Sequence, residues 1–422
     1  MFSILSAVVV FGAIIFIHEL GHFLLAKANG IGVVEFSLGM GPRLVSVEKG
    51  ETRYSLKLLP FGGSCMMLGE DANATDPKAF NSKPVWARIS VIAAGPFFNF
   101  LLAFLLAMVL VARLGYDAPV IAQVREGFPA AQAGLKPGDR IVRINGSSIH
   151  FYREIVTQLA MHPQETLRVT VERTAGVADT DGAYAVPAGT GGSGAQGEHP
   201  EVGQAASGGS DGGAVAGGDA PDGNLPGDSG AAPDGSGTGG VGGAVSGDGR
   251  RERFTVSLTP QYAQDTGSYL IGIVSGGSST MPGSVFALVQ YSFYEIEYWI
   301  RTTVQSLGMM FRGQVGADDI AGPVRIVSII GDTVEEATPY GLGWVMLSLA
   351  NMMLLLSANL GVMNLLPIPA LDGGRLLFLF IEAIRRKPID KEKEGLVHLA
   401  GMVALMILMV VVLFHDIWSL FG

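Results

Sequence analysis

The sequence predicts a multi-pass α-helical membrane protein of about four transmembrane helices, with a membrane-associated β-hairpin and an inserted α/β domain. Of the 422 residues, 48% are hydrophobic and only 16% are charged, whereas about 25% of the residues in soluble domains are charged. Four apolar stretches are long enough to cross a hydrocarbon layer of ~30 Å, which takes ~20 helical residues. These predicted spans are residues 2–26, 89–112, 343–366 and 396–414.

The first apolar stretch has an alternative interpretation as a secretory signal peptide, because Ala26-Lys27-Ala28 imitates a small-residue cleavage site. Two features oppose it. No basic residue precedes the apolar run, and a segment that is cut off has no use for two histidines and a glutamate. We therefore expect a membrane span.

Basic residues predict how the spans are oriented, since Lys and Arg accumulate in cytoplasmic loops. They are frequent between the first two spans, from Lys27 to Arg88, and again between the last two, from Arg385 to Lys393. Both loops are expected to face the cytoplasm. The two termini and residues 114–340 would then lie on the extracytoplasmic side.

The net charge of −10 is confined to one segment, because residues 174–249 contain ten acidic residues and no Lys or Arg. The rest of the chain is electrically neutral, which excludes a nucleic-acid-binding protein, since that class needs a basic surface. The single cysteine, Cys65, excludes an internal disulfide and a thiolate zinc cluster. We interpret it as a small packing residue.

The loop after the first span has the pattern of a β-hairpin. Residues 52–68 read as two short strands around Gly62-Gly63. A hairpin that dips toward the membrane would offer an unpaired edge to an extended peptide.

Residues 116–173 predict a small α/β domain of three strands, a short helix at 130–133 and a helix at 151–161. Its last strand, 167–172, runs into a tract of Gly, Ala, Ser and Asp that is too poor in large apolar groups to form a core. Matching strand character returns at 253–258, so we expect a hairpin whose tip is replaced by this insertion.

The sequence predicts a division of the chain into four parts. They are a first membrane half (1–115), the domain with its insertion (116–262), a membrane-surface region with an amphipathic helix at 283–311 (263–342), and a second membrane half (343–422).

The first span contains His18-Glu19-Leu20-Gly21-His22. Histidines at i and i+4 share one face of a helix, where two imidazoles can bind one metal ion and the glutamate between them can take a proton from water. The alternative is a pair of core histidines bonded to carbonyls of neighbouring helices. A glutamate inside a membrane helix costs at least ~2.5 kcal/mol and so usually marks a functional site.

A catalytic zinc site takes three protein ligands, and the soluble pattern, with a third histidine six residues after the second, is not present because that position is Ala28. The best candidate elsewhere is Asp372, in the sequence NLLPIPALDGGRLLF (364–378). Pro367 and Pro369 break the third span, and Gly373-Gly374 let the backbone turn. The alternative role for Asp372 is to cap the helix that follows it.

These motifs as a pair resemble the site-2 protease family of intramembrane zinc metalloproteases, in particular the bacterial branch with an extracytoplasmic PDZ domain. The HELGH sequence and Asn364-x-x-Pro367-x-Pro369-x-Leu371-Asp372-Gly373 carry the resemblance. AGPFFNFLLA (94–103) is similar to the second-span motif of that family, PAAQAGLKPGDRIVRING (129–146) to a bacterial PDZ domain, and LLPFGGSCMML (58–68) to the family's membrane-associated hairpin.

The resemblance implies a Zn²⁺ ion on His18, His22 and Asp372, with Glu19 as general base. It implies that Asn364, Gly62 and Gly63 bind the substrate. The implied function is cleavage of single-span proteins within the bacterial inner membrane, in contact with lipid, with anti-sigma factors or leftover signal peptides as substrates. A peptide ligand of the PDZ domain is a further implied partner, although the insertion at 174–249 departs from the ordinary pattern of that domain.

Two other functions are compatible with the same residues. A metal transporter or channel could line an ion path with them, but no polar stripe continues through spans two and four. An inactive scaffold could hold a structural zinc, but such sites usually have four protein ligands, and three are found here.

Overall fold

The computed structural model describes residues 2–70, 76–174, 251–264, 266–277, 279–313, 322–387 and 389–421. The α-helices of these parts are α1 (Phe2–Ala28), α2 (Val85–Leu114), α3 (Pro129–Gln132), α4 (Tyr152–Met161), α5 (Val285–Phe311), α6 (Pro323–Ala337), α7 (Leu342–Leu365), α8 (Asp372–Arg385) and α9 (Lys391–Phe421). The strands are β1 (Val33–Lys49), β2 (Thr52–Met67), β3 (Ile121–Val124), β4 (Arg140–Ile144), β5 (Ser147–Ser148), β6 (Leu167–Thr174), β7 (Arg251–Leu258), β8 (Gln261–Ala263), β9 (Ser268–Leu270) and β10 (Ile273–Ser275).

The four predicted spans are confirmed as long apolar helices. Within the described ranges, four helices have the length and composition to cross a membrane, at Ile4–Ala28, Val85–Leu114, Leu342–Leu365 and Glu392–Trp418. Helix α2 is central and packs against α1 and α7. Its contact with α7 includes buried alanines, Ala103 and Ala107 on α2 and Ala358 on α7. Small residues let membrane helices approach closely, which replaces the hydrophobic driving force that lipid removes.

Helix α9 is the most peripheral span, and its large apolar residues from Leu396 to Val411 are exposed except for the half-buried Leu405. A carboxylate near its far end attaches the helix to the rest of the protein. The carboxylate of Asp416 accepts hydrogen bonds from the backbone N–H groups of Gly322 and Val324 at 3.1 Å and of Arg325 at 3.2 Å. Asp416 therefore caps the start of α6, where helix N–H groups have no partners in the helix itself.

The hairpin in the loop between α1 and α2 differs from its prediction. The turn of the hairpin lies at residues 50–51, where Lys49 pairs with Thr52, and residues 52–67 form one strand with a bend at Gly62, whose φ is +80°. The two halves of β2 do not pair with each other but flank β1 on both sides, since Phe36 pairs with Tyr54 and with Cys65. The sheet therefore has four adjacent rows of backbone, and the segment 63–67 forms one of its edges. Its position is set by pairing between distant parts of the chain and not by the local glycine pair.

The α/β domain has the predicted elements in the predicted order. Strands β6 and β7 pair antiparallel from Leu167 with Leu258 to Thr174 with Arg251, so the expected hairpin is confirmed, while its insertion at 174–249 lies almost wholly outside the described residues. The predicted boundary at 262 is too early, because β10 (Ile273–Ser275) pairs with β3 and Thr280 forms a bridge with Tyr116. A strand of three residues gives too short a pattern to be found by periodicity.

The domain is attached to the membrane helices through α5. The predicted helix at 283–311 is present as α5, which packs along α2 and α7 as well as against the domain, while its position at the membrane surface stays a prediction. Arg153 of α4 forms an ion pair with Glu295 of α5, and Arg301 of α5 pairs with Glu154 of α4 at 2.5 Å. The guanidinium of Arg153 also lies 4.5 Å from the ring centroid of Phe151.

Arg153→Met is expected to loosen the domain from α5. The Glu295 side chain is only 7% exposed in this pair, and a buried charge left without its partner costs about 3–5 kcal/mol. Amide hydrogen exchange in α4 and α5 should therefore speed up. Arg253→Met is the matched control, because its pair with Glu172 has an arginine that is 62% exposed and such pairs contribute about 0–1 kcal/mol. Equal exchange in both variants would contradict a coupling role for Arg153.

Candidate metal centre

Helix α1 brings His18 and His22 together on the face that meets α2. Their Nε2 atoms lie 3.2 Å apart and the two rings meet edge to face, with centroids 4.8 Å apart. Both side chains are buried. The i, i+4 spacing produces this arrangement directly, since it places successive side chains on one helix face.

Asp372 lies against both histidines although it is 350 residues away in sequence. Its Oδ2 atom is 3.1 Å from Nε2 of His18 and 3.4 Å from Nε2 of His22. The helix-cap alternative does not hold, because the N-cap residue of α8 is Leu371 and no side chain caps that end. The carboxylate of Asp372 is directed to the imidazoles instead.

The outer nitrogens of the two imidazoles contact α2. Nδ1 of His22 lies 2.9 Å from the carbonyl oxygen of Val91, so Nδ1 carries the proton and Nε2 keeps a lone pair. Such a contact fits a core histidine too, but here the opposite nitrogen faces a second imidazole and a carboxylate. In metal-binding histidines, this kind of outer hydrogen bond fixes the tautomer and the orientation of the ring.

Asn99 of α2 performs the corresponding task for His18. Its side-chain amide is buried and lies 3.1 Å from Nδ1 of His18. With the amide nitrogen in that position, the buried Oδ1 atom has no hydrogen-bond partner among the described residues. Exchanging the two ends of the amide lets Oδ1 accept the Nδ1 proton, which leaves a lone pair on Nε2 of His18 as on His22. The predicted site did not include this residue, although an asparagine inside an apolar span is itself a signal.

Gly95 of α2 has no side chain, and this leaves room for the two imidazoles. A β-carbon at this position would lie 2.3 Å from Nε2 of His22 and 2.7 Å from Cε1 of His18. Side-chain atoms do not approach so closely, so α2 can pass the histidine pair only with glycine here.

Helix α8 holds Asp372 through contacts made further along its length. Glu382 accepts hydrogen bonds from Arg88 of α2 at 2.5 and 3.1 Å, and both side chains are largely buried. Arg375 forms an ion pair with Glu70 in the segment after β2. These pairs connect α8, the helix that begins with Asp372, to α2 and to the segment after β2. Neither pair was predicted from the sequence.

Glu19 lies next to the edge segment of the sheet. A β-carbon on Gly63 would be 2.8 Å from Cγ of Glu19, so the backbone of β2 passes directly beside this side chain. Cys65 follows two residues later, and burial, with the nearby Glu19 charge, raises the pKa of its thiol to about 12. A thiol that stays protonated is a poor nucleophile, which agrees with a packing role.

The remaining predicted site residues are placed as follows. Asn364 is half-buried in the last turn of α7, one residue before that helix ends. Gly62 lies at the bend of β2 and packs against Met40. Their roles in substrate binding stay predictions.

The three donor atoms suit a zinc ion. In a tetrahedral site with zinc–ligand distances of ~2.0–2.1 Å, ligand atoms lie about 3.3–3.4 Å from one another. The separations here are 3.2, 3.1 and 3.4 Å, and the three residues form a group that could hold one metal ion. Two lone pairs and an anion directed at one point repel each other unless a cation lies between them. A cluster of this kind within a bundle of membrane-length helices defines a membrane metalloprotein.

Comparison with known proteins identifies the family. Residues 6–408 match Peptidase family M50. A Clostridium acetobutylicum protein with a zinc-metalloprotease name is 31% identical over 99% of this chain and 97% of its own length. The zinc metalloprotease RasP of Geobacillus kaustophilus is 29% identical, with 99% and 98% covered, and the regulator of sigma-W protease RasP of Bacillus subtilis is 28% identical, with 99% of both covered.

The chain therefore belongs to peptidase family M50, the site-2 protease family, and is a zinc metalloprotease. The predicted family, enzyme class and cofactor are confirmed. Membership of a peptidase family also favours the protease over the transporter and the inactive scaffold.

Proposed function

We propose that this protein cuts single-span membrane proteins within or close to their transmembrane segments, with zinc held by His18, His22 and Asp372 and with Glu19 as general base. The observation that carries the proposal is the convergence of two imidazoles and one carboxylate, from helices far apart in sequence, inside a bundle of four membrane-length helices. A site in that position would act on substrates that lie in the bilayer.

His18, His22 and Asp372 would hold a zinc ion, which when bound would supply Lewis-acid polarisation of the attacking water and of the scissile carbonyl. Glu19 takes the proton from the water and later delivers it to the departing amide nitrogen. Val91 and Asn99 hold the two histidines in the tautomer that leaves Nε2 free. Asn364, at the break of α7, would hydrogen-bond the substrate backbone.

A helical substrate hides its amide groups in its own hydrogen bonds, so it must unwind before it is cut. The edge segment 63–67 would hold the unwound substrate. It pairs with β1 on one side, and no further strand covers its other side in the part of the chain that the structure describes. A substrate strand added there, beside Gly62 and Gly63, would lie extended next to Glu19.

We further propose that the sheet and α8 face the cytoplasm, and that the α/β domain and both termini lie on the extracytoplasmic side. The basic residues of the two short loops support this orientation, as does the placement of the sheet and the α/β domain at opposite ends of α2.

The α/β domain, by its sequence, would be a PDZ domain that binds a peptide. The B. subtilis relative is named a regulator of sigma-W protease, so anti-sigma factors, together with leftover signal peptides, are the proposed substrates in the inner membrane.

The test compares wild type with Glu19→Gln on a purified single-span reporter protein in detergent and in liposomes. Wild type should cut the reporter, and the variant should be slower by roughly 10²- to 10⁴-fold, the usual contribution of a general base, while its zinc content stays at one per chain. Glu48→Gln is the control, because that side chain is 68% exposed on the sheet. Equal cleavage by Glu19→Gln would contradict the proposal, and failure of wild type on several reporters would favour an inactive scaffold.

A further inference from the structure

The segment that delivers Asp372 to the histidines is short and strained. It runs from the end of α7 to the start of α8 and contains Pro367, Pro369 and Ala370. Ala370 has a φ of +78°, a conformation that residues with a β-carbon rarely adopt and that the surrounding structure must stabilise. Since Asp372 follows two residues later, the backbone at Ala370 sets the direction in which the carboxylate leaves the loop.

The stabilising contacts come from α9. The backbone N–H of Ala370 donates a hydrogen bond to Nδ1 of His398 over 3.0 Å. Gly401, three residues further along α9, lies against Pro369, since a β-carbon on this glycine would be 2.4 Å from Cβ of Pro369. Helix α9 therefore contacts two consecutive residues of the loop, one through a hydrogen bond and one through close packing.

His398 lies on α9 just after the charged first turn of the helix, and its ring lines a cavity together with Arg375 and Glu394. From Leu396 onward the helix is mostly apolar, and the neighbouring residues Leu396 and Leu399 are exposed, as expected of a span that faces lipid. A polar ring in such a helix is costly and usually has a function. The ring also packs against Phe378 of α8, with centroids 5.6 Å apart, so it lies between the loop and the helix that begins with Asp372.

We propose that His398 is a positioning residue, whose Nδ1 atom holds Ala370 in its strained conformation and thereby keeps the carboxylate of Asp372 against His18 and His22. The proposal rests on the proposed role of Asp372 as a zinc ligand. It gives the fourth span a specific part in completing the metal site, which is otherwise built from α1, α2 and α8.

The test uses the different shapes of two amides. In His398→Asn the side-chain oxygen can take the place of Nδ1, whereas in His398→Gln the amide reaches the position of Nε2 instead. We expect the rate of zinc release to a chelator to rise about tenfold in His398→Gln and His398→Ala, a change typical of one lost hydrogen bond, and to stay near wild type in His398→Asn. For reporter cleavage, kcat should fall in the same two variants with little change in KM. Leu399→Ala is the control for truncation on the same helix.

A second variant tests the strain directly. Glycine adopts positive φ without the steric cost of a β-carbon, so Ala370→Gly in the His398→Ala background should bring zinc release back toward the wild-type rate. A histidine that merely stabilised the helix bundle would not be replaced by a glycine in the loop.

The outcomes separate this proposal from the function on which it rests. Wild-type zinc release in all three His398 variants, or the same loss in Asn, Gln and Ala, would overturn the positioning role. The Asp372→Ala variant, measured alongside, reports on the ligand itself. If Asp372→Ala kept zinc like wild type, the ligand assignment would fail, and the positioning role of His398 would fail with it. If Asp372→Ala lost zinc while the His398 variants kept it, only the positioning role would be overturned.

Discussion

Asp372→Ala is expected to lose its zinc ion and with it all cleavage of a single-span reporter. The carboxylate oxygen lies within 3.4 Å of both imidazole nitrogens, so its removal leaves two ligands where a catalytic zinc takes three. Loss of an outer-shell partner already costs about 10- to 100-fold in metal affinity, and loss of a ligand should exceed that range. Zinc content by mass spectrometry after dialysis against a weak chelator measures the effect directly.

Asp390→Ala is the matched control for that variant. Asp390 likewise lies at the start of a helix and accepts a hydrogen bond from the backbone N–H of Glu392 at 3.1 Å, but it is exposed. Its replacement should cost about 1 kcal/mol of helix stability and leave zinc in place. Wild-type zinc affinity in Asp372→Ala would show that the third ligand is another residue.

Gly95→Ala is expected to destroy the metal site by adding a single methyl group. The new β-carbon would lie 2.3 Å from Nε2 of His22, so either the imidazole or the whole of α2 must move. Helix propensity favours alanine over glycine by about 0.8–1.0 kcal/mol, so any loss has to come from this contact. We expect zinc binding and cleavage to fall together, to the level of Asp372→Ala.

Gly12→Ala isolates the effect of the contact. Gly12 lies on α1, the helix that carries both histidines, and a β-carbon there would meet no atom within 4 Å. This variant should keep wild-type zinc content and activity. Full activity in Gly95→Ala would mean that the two helices are further apart at the histidines than the structure has them.

Much of the membrane part was predictable because its signals are local. A run of ~20 apolar residues specifies a span whatever surrounds it, and the i, i+4 spacing of His18 and His22 places both rings on one face of any helix. Asp372 could be predicted as the candidate third ligand from chemistry, as an acid after a helix break. Its distance from the histidines could not, because that depends on how α8 packs.

The predictions failed where long-range pairing decides the structure. In the sheet, the glycine pair at 62–63 suggested a turn, but each half of β2 finds its partner in β1, and the turn is at residues 50–51. In the α/β domain, β10 was missed because its three residues become a strand only when β3 is beside them.

The sequence by itself determined the class of the protein, its spans, its two histidines and the acid proposed as the third ligand, since these follow from composition, spacing and residue chemistry. Only the tertiary structure shows what lies next to Gly95, Asn99 and His398. Each is a single residue in an apolar helix, and its significance comes from the atom that a different helix or loop places within about 3 Å of it. Such distances arise from packing between segments far apart in the chain, which no local pattern contains.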